Sequence, residues 1–109
     1  MEIKEIADKF LNLNIYDKRC IEKDYLELVF LSSEKEKWDQ IFLNIFGAPL
    51  KPQGTKPTKE DLRLTDDYGG ILTNQTLFKK EDIDRIVIAM LWPWQDGKYI
   101  TLKISTVKK

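Results

Sequence analysis

The residues best suited to binding a partner lie beside a predicted turn in the last quarter of the sequence. Trp92 and Trp94 flank Pro93, just before the turn-forming pair Asp96-Gly97. Two of the three tryptophans therefore lie where side chains are hard to bury completely. Tryptophan and tyrosine combine a large rigid apolar area with one polar group, which is the chemistry of binding hot spots. The pattern indicates contact with a partner rather than catalysis.

The expected contact residues are the aromatic and basic side chains of this hairpin, and we expect them to meet a protein partner or a second copy of the chain. They are Trp92, Trp94, Lys98, Tyr99 and Lys103. Aromatic rings next to lysines also suit single-stranded nucleic acid, which is a second alternative. The formal net charge is zero, with 18 basic and 18 acidic residues, and this argues against nucleic acid.

Catalytic and metal-binding patterns are weak. The chain has no histidine, which removes the commonest general base and metal ligand. A single cysteine, Cys20, follows Lys18-Arg19 but suits the start of a strand better than a reactive thiol. The acidic clusters Asp66-Asp67 and Glu81–Asp84 lack calcium-loop spacing. These patterns lean against an enzyme without excluding one, and we expect no metal or cofactor.

A small-ligand or enzymatic pocket is the first alternative to a binding module. The segment 48–70 is long and rich in proline and glycine, and we expect it to cover part of the sheet. The polar side chains that could line such a pocket are Asp67, Tyr68, Asn74 and Gln75.

Apolar periodicity predicts three regular elements in the first half. The i, i+3, i+4, i+7 spacing indicates a helix over 2–12 and another over 34–46. Ser33 predicts a capping box for the second helix, and Gly47 predicts its end. Alternation over 25–31 predicts a strand that could begin as early as Cys20.

The second half predicts a proline-rich loop and three strands. The prolines of 48–58 exclude helix and central strand, and Thr58 can cap a short helical turn. Strands are expected over 71–78 and 87–91, the latter covered on both faces, and an edge strand over 99–107. The predicted fold is α+β with two layers: a small, mostly antiparallel sheet of about four strands with two helices on one face, in the order α-β-α-β-β-β.

The final hairpin has two plausible registers. A two-residue Asp96-Gly97 turn pairs Trp94 with Tyr99 and Leu91 with Leu102, whereas a bulged three-residue loop pairs Trp94 with Lys98. Because a one-residue slip exchanges the two faces, burial should decide. The bulged register keeps Lys103 away from the apolar face, so it is the one predicted.

Length and composition suit one soluble domain over 1–109. Apolar residues make up 42% and charged residues 33% of the chain. The sequence lacks the apolar run of a signal peptide or a membrane span, and its single cysteine suits a reducing compartment. We therefore expect a cytoplasmic protein without membrane contact.

Overall fold

A computed structural model describes residues 2–109 and shows a small compact α+β fold of three α-helices and one five-stranded antiparallel sheet. The elements follow the chain as α1 (Ile3–Phe10), β1 (Asp17–Ile21), β2 (Tyr25–Leu31), α2 (Lys35–Phe46), α3 (Lys59–Thr65), β3 (Thr76–Glu81), β4 (Arg85–Pro93) and β5 (Tyr99–Lys108). Short 3₁₀ turns at Ser32–Glu34 and Asp66–Tyr68 adjoin α2 and α3.

The sheet has the strand order β1-β2-β5-β4-β3, with β5 at its centre. The predicted edge position of 99–107 is therefore wrong, since β5 pairs with β2 on one side and β4 on the other. The edges are β1 and β3. The predicted count of four strands is also wrong, because the charged segment Asp17–Ile21 forms an additional strand. Charged residues are common on edge strands, where they discourage pairing with another chain.

Helices α1 and α2 cover one face of the sheet, as their apolar periodicity predicts. Ile6 and Phe10 of α1 and Trp38 and Phe42 of α2 are fully buried against it. Trp38 stacks on Phe30 of β2, with ring centroids 4.1 Å apart. Burial of aromatic rings at this junction supplies much of the stabilisation between the two layers.

The prediction that helices pack on only one face is wrong. Helix α3 and the following segment lie on the opposite face, where Leu64 and Ile71 pack against Ile88 and Met90 of β4. This cover reaches β3 and β4 but leaves β1, β2 and most of β5 without a helix. The fold thus has three layers over one half of the sheet and two over the other.

Two local predictions of helix and strand starts need correction. Helix α2 follows a 3₁₀ turn and has no capping hydrogen bond from Ser33, whereas Thr58 forms the expected capping box with Asp61 at the start of α3. Strand β3 begins at Thr76 rather than at 71, because Thr73–Gln75 form a turn.

The β4–β5 hairpin adopts the register that was not favoured. Leu91 pairs with Leu102 and Met90 with Lys103. The loop covers 95–98, with the Gly97 N–H donating to the Trp94 carbonyl (3.1 Å) and Gly97 at φ +72°. The bulged register was favoured to avoid burying Lys103, but α3 stops short of this position and leaves Lys103 half-buried.

Candidate functional site

The sheet face opposite α1 and α2, which we call the outer face, is covered by α3 over only one half. Its other half carries a cluster of aromatic and charged side chains, which we call the aromatic face. Its members are Tyr16, Arg19, Tyr25, Glu27, Trp94, Tyr99 and Thr101. They come from the β1–β2 hairpin, its preceding residue, and the ends of β4 and β5. The sheet order brings these segments together because β2 lies between β1 and β5.

Three rings form the core of the aromatic face. Tyr99 lies between Tyr16 and Trp94, with centroid distances of 4.4 Å and 4.9 Å. The Trp94 and Tyr99 side chains are half-buried, whereas Tyr16 is 59% exposed. The interplanar angles of 41° and 50° are tilted arrangements that aromatic quadrupoles accept. The cluster therefore leaves aromatic surface in contact with water.

Polar contacts hold this cluster in place. The Trp94 indole Nε1–H donates to the Thr101 hydroxyl at 2.8 Å, and the Arg19 guanidinium lies 5.6 Å from the centre of the Trp94 ring. Arg19 also donates to the carboxylates of Asp17 (3.3 Å) and Glu27 (3.4 Å). The guanidinium is thus both paired and positioned over an aromatic ring, so its charge is largely compensated.

Two tyrosine hydroxyls of this face have raised pKa values. Burial is the largest cause for Tyr25, followed by its hydrogen bond to the Glu27 carboxylate (2.6 Å), and together they move the pKa far above its ordinary range. Interaction with the Tyr16 hydroxyl is the largest cause for Tyr99. Both phenols therefore keep their protons to a higher pH than an unperturbed tyrosine does.

The predicted contact residues lie in three different places. Trp94 and Tyr99 belong to the aromatic face, as described above. Trp92 instead packs at the border of the α3 layer, where its ring lies near Gly69 and beneath the Lys103 ammonium, 3.6 Å from the ring centre. Lys98 is exposed in the hairpin loop, and its carbonyl accepts the Ser32 N–H at 2.8 Å.

The predicted pocket residues do not converge. Asn74 is exposed in the turn before β3, and the Gln75 Oε1 accepts the Leu72 N–H at 2.8 Å within that turn. Tyr68 donates to the Thr106 carbonyl (3.0 Å) near the other end of the sheet, and Asp67 beside it is exposed. Gln75 therefore stabilises a turn and Tyr68 anchors the end of α3 to β5.

Tyr16, Arg19, Tyr25 and Glu27 were not predicted to belong to a site. Tyr16 and Arg19 come from a segment without apolar alternation, so its pairing with β2 left no periodic signal. Tyr25 and Glu27 alternate with the buried Leu26 and Leu28, so the two lie together on the other side of β2. Only the strand order shows that this side adjoins Trp94 and Tyr99.

Comparison of the chain with family models, with curated proteins and with solved structures finds no match. Over residues 2–109, no helix combines the length and apolar character needed to traverse a bilayer. The same residues contain no grouping of three or more cysteine, aspartate or glutamate side chains placed to hold a metal ion. The structure itself describes a small compact α+β fold with the aromatic face on one side of its sheet.

Proposed function

We propose that this protein is a non-catalytic binding module that recognises a protein partner through the aromatic face. The observation that carries the proposal is the contiguous, partly exposed cluster of Tyr16, Trp94 and Tyr99 beside Arg19. Tryptophan, tyrosine and arginine are the residues most enriched in the energetic centres of protein interfaces. A cluster of this composition is suited to bury its rings against a complementary surface.

The rigidity of the cluster supports the same proposal. The Trp94 indole is held by Thr101, and Arg19 is held by two carboxylates. Side chains that are already ordered lose less conformational entropy when a partner binds. The aromatic face thus combines apolar area with a low cost of ordering.

The charge of this surface favours protein over nucleic acid. Arg19 forms ion pairs with Asp17 and Glu27, and the Lys103 ammonium packs against the Trp92 ring. Binding to a phosphate backbone depends on uncompensated cations and falls steeply with salt. Salt-dependent retention on immobilised single-stranded DNA would favour the nucleic-acid alternative instead.

The test is a comparison of partners recovered with the wild-type protein and with Trp94→Ala. We expect proteins captured by the wild type to bind Trp94→Ala about 30-fold more weakly, because truncating a central tryptophan costs about 2 kcal/mol or more. Circular dichroism and urea unfolding should show that the variant remains folded.

Leu62→Ala is the matched control. Leu62 is an apolar side chain of α3 that is 46% exposed and does not belong to the aromatic face. We expect it to retain every partner that Trp94→Ala loses. Partners that bind both variants as tightly as the wild type would contradict the proposal.

Self-association is distinguished by sedimentation at several protein concentrations. If the partner is a second copy, the wild type should form dimers that Trp94→Ala does not form. A monomer at all concentrations directs the search to a different protein.

A further inference from the structure

A cleft lies on the sheet face that α1 and α2 cover, and it shares no residues with the aromatic face. Its floor is formed by Thr76 and Phe78 of β3 and Leu91 of β4, and one wall by Pro49 and Pro52 of the long loop. Phe78 and Leu91 are apolar side chains, so most of the floor is apolar. The cleft forms because the loop leaves α2 and returns along the outer edge of β3.

The loop wall is fixed by a buried lysine. The Lys51 backbone pairs with Leu77 through two hydrogen bonds of 3.0 Å and 3.1 Å. Its ammonium, in a residue only 1% exposed, donates to the carbonyls of Gln75 (2.6 Å), Thr73 (3.0 Å) and Pro52 (3.2 Å). Lys51 thereby satisfies its three N–H donors and clamps the loop to β3. The cleft is therefore preformed, which lowers the cost of binding a ligand.

The size of the cleft restricts its occupant. Its volume is about 200 Å³, below the roughly 300–1,000 Å³ of sites for drug-sized ligands. An apolar cavity of about 150 Å³ accepts benzene. The cleft therefore suits a branched alkyl group or a single ring.

The second wall is a stripe of α2 that carries one charge of each sign. Lys35, Asp39 and Leu43 are four residues apart and so lie on one side of the helix. The Lys35 ammonium is 2.7 Å from an Asp39 carboxylate oxygen, and both side chains are about one-third exposed. A ligand with one net charge meets a like charge at this wall, whereas a zwitterion complements both residues.

From these features we propose that the cleft binds a free α-amino acid with a compact apolar side chain. The side chain lies on Phe78 and Leu91, the carboxylate pairs with Lys35, and the ammonium group pairs with Asp39. Binding separates the Lys35–Asp39 ion pair and replaces it with two pairs to the ligand. This site is independent of the protein-binding role proposed for the aromatic face.

The test uses nitrogen–proton correlation spectra of the whole protein titrated with L-leucine. We expect saturable shifts at the amides of Leu43 and Thr76. The deaminated and decarboxylated analogues of leucine share its hydrocarbon but carry one charge, so each should bind about tenfold more weakly. Equal binding of leucine and either analogue would overturn the zwitterion assignment.

Two variants test the position of the site. Asp39→Asn should lower the affinity for leucine about tenfold, to that of the deaminated analogue. Leu43→Ser should weaken leucine binding about fivefold through lost apolar contact. Leu62→Ser, an equally exposed position on α3, is the matched control and should bind as the wild type does.

The proposal fails if no amino acid with an apolar side chain produces saturable shifts at the cleft. It also fails if the shifts map elsewhere or persist unchanged in Leu43→Ser. Trp94→Ala should bind leucine as the wild type does. Failure of the protein-binding proposal can therefore be distinguished from failure of the amino-acid proposal.

Discussion

The two halves of the outer sheet face differ in what covers them. Over β3 and β4, Leu77, Ile88 and Met90 are fully buried beneath α3 and the segment after it. Over β1, most of β2 and most of β5 no α-helix is present, although Tyr68 of the 3₁₀ turn after α3 stacks on Tyr25, and the sheet carries Glu27 and other polar or aromatic side chains. Met90 and Lys103 are paired residues on neighbouring strands, and the boundary runs between them.

Some residues of the uncovered half are nevertheless buried. Val29 and Thr101 are buried although no helix lies over them. Longer neighbours shield them, including Trp94, whose indole donates to Thr101. A sheet face can therefore be shielded from water either by a helix or by its own long side chains. Only the second arrangement leaves aromatic surface exposed to water, as at Tyr16.

The largest expected effect is from Met90→Ala, which removes a buried side chain under the α3 layer. We expect a loss of about 3 kcal/mol in the free energy of unfolding, since it creates a cavity where the surrounding atoms cannot collapse fully. Urea unfolding measures this.

Lys103→Ala tests the other side of the same boundary. It removes a half-buried lysine that lies 3.6 Å from the centre of the Trp92 ring, so we expect a loss of about 1 kcal/mol or less. Equal losses at Met90 and Lys103 would show that the two halves do not differ in the way described.

An intermediate effect is expected from Lys51→Met, which keeps most of the side-chain volume but removes the clamp between the loop and β3. Burial lowers the pKa of Lys51, the charge of Asp61 opposes this shift, and three backbone carbonyls accept hydrogen bonds from the ammonium group. We expect a loss of about 2 kcal/mol, because the Gln75 carbonyl is left without its donor.

Lys56→Met is the control for the clamp, since Lys56 is exposed in the same loop. Its unfolding free energy should change by less than about 0.5 kcal/mol. Hydrogen exchange at the Leu77 amide should accelerate in Lys51→Met and remain unchanged in Lys56→Met. If the Lys51 contacts do not stabilise the fold, both variants should have the same unfolding free energy and the same exchange rate at Leu77.

A small effect is expected from Tyr25→Phe on the uncovered half, about 1 kcal/mol at neutral pH from the lost hydrogen bond to Glu27. The pKa of Tyr25 is raised in the folded protein, so its contribution is complete below about pH 10 and decreases as the pH rises above that value. The unfolded chain loses this proton first, which favours unfolding in alkali.

Tyr25→Phe should therefore reduce the alkaline decline of stability, measured by urea unfolding at successive pH values from neutral to alkaline. Tyr99, whose pKa is also raised, contributes a decline of the same sign, so the slope should decrease but not vanish. An unchanged slope would show that Tyr25 titrates as it does in the unfolded chain.

Local patterns predicted most of the elements that make the core. The spacing of Trp38 and Phe42 located α2, and the alternation of 25–31 matched β2. Thr58 predicted the start of α3 because its hydroxyl can accept the Asp61 N–H within one turn. These features depend on neighbours a few residues away, which the sequence contains directly.

The strand order, the hairpin register and most of the aromatic face could not be predicted in this way. The segment Asp17–Ile21 has no apolar alternation and becomes a strand only because β2 offers it an edge. The register prediction was wrong because it assumed that a face is buried along its whole length, so that Lys103 could not share a face with Met90. In the structure α3 covers only half of that face, and Lys103 lies beyond the covered half. Tyr16 and Arg19 joined Trp94 through pairings that span most of the chain.

By itself the sequence determined where the helices and most strands lie, because backbone propensity and side-chain periodicity act over a few residues. It also determined that Trp94 and Tyr99 would adjoin a tight reversal, since the hairpin is local. Only the tertiary structure decided which strands became neighbours, which half of the sheet α3 covers and which rings meet at the aromatic face. Those outcomes depend on burial summed over residues far apart in the chain, where no single local pattern carries the information.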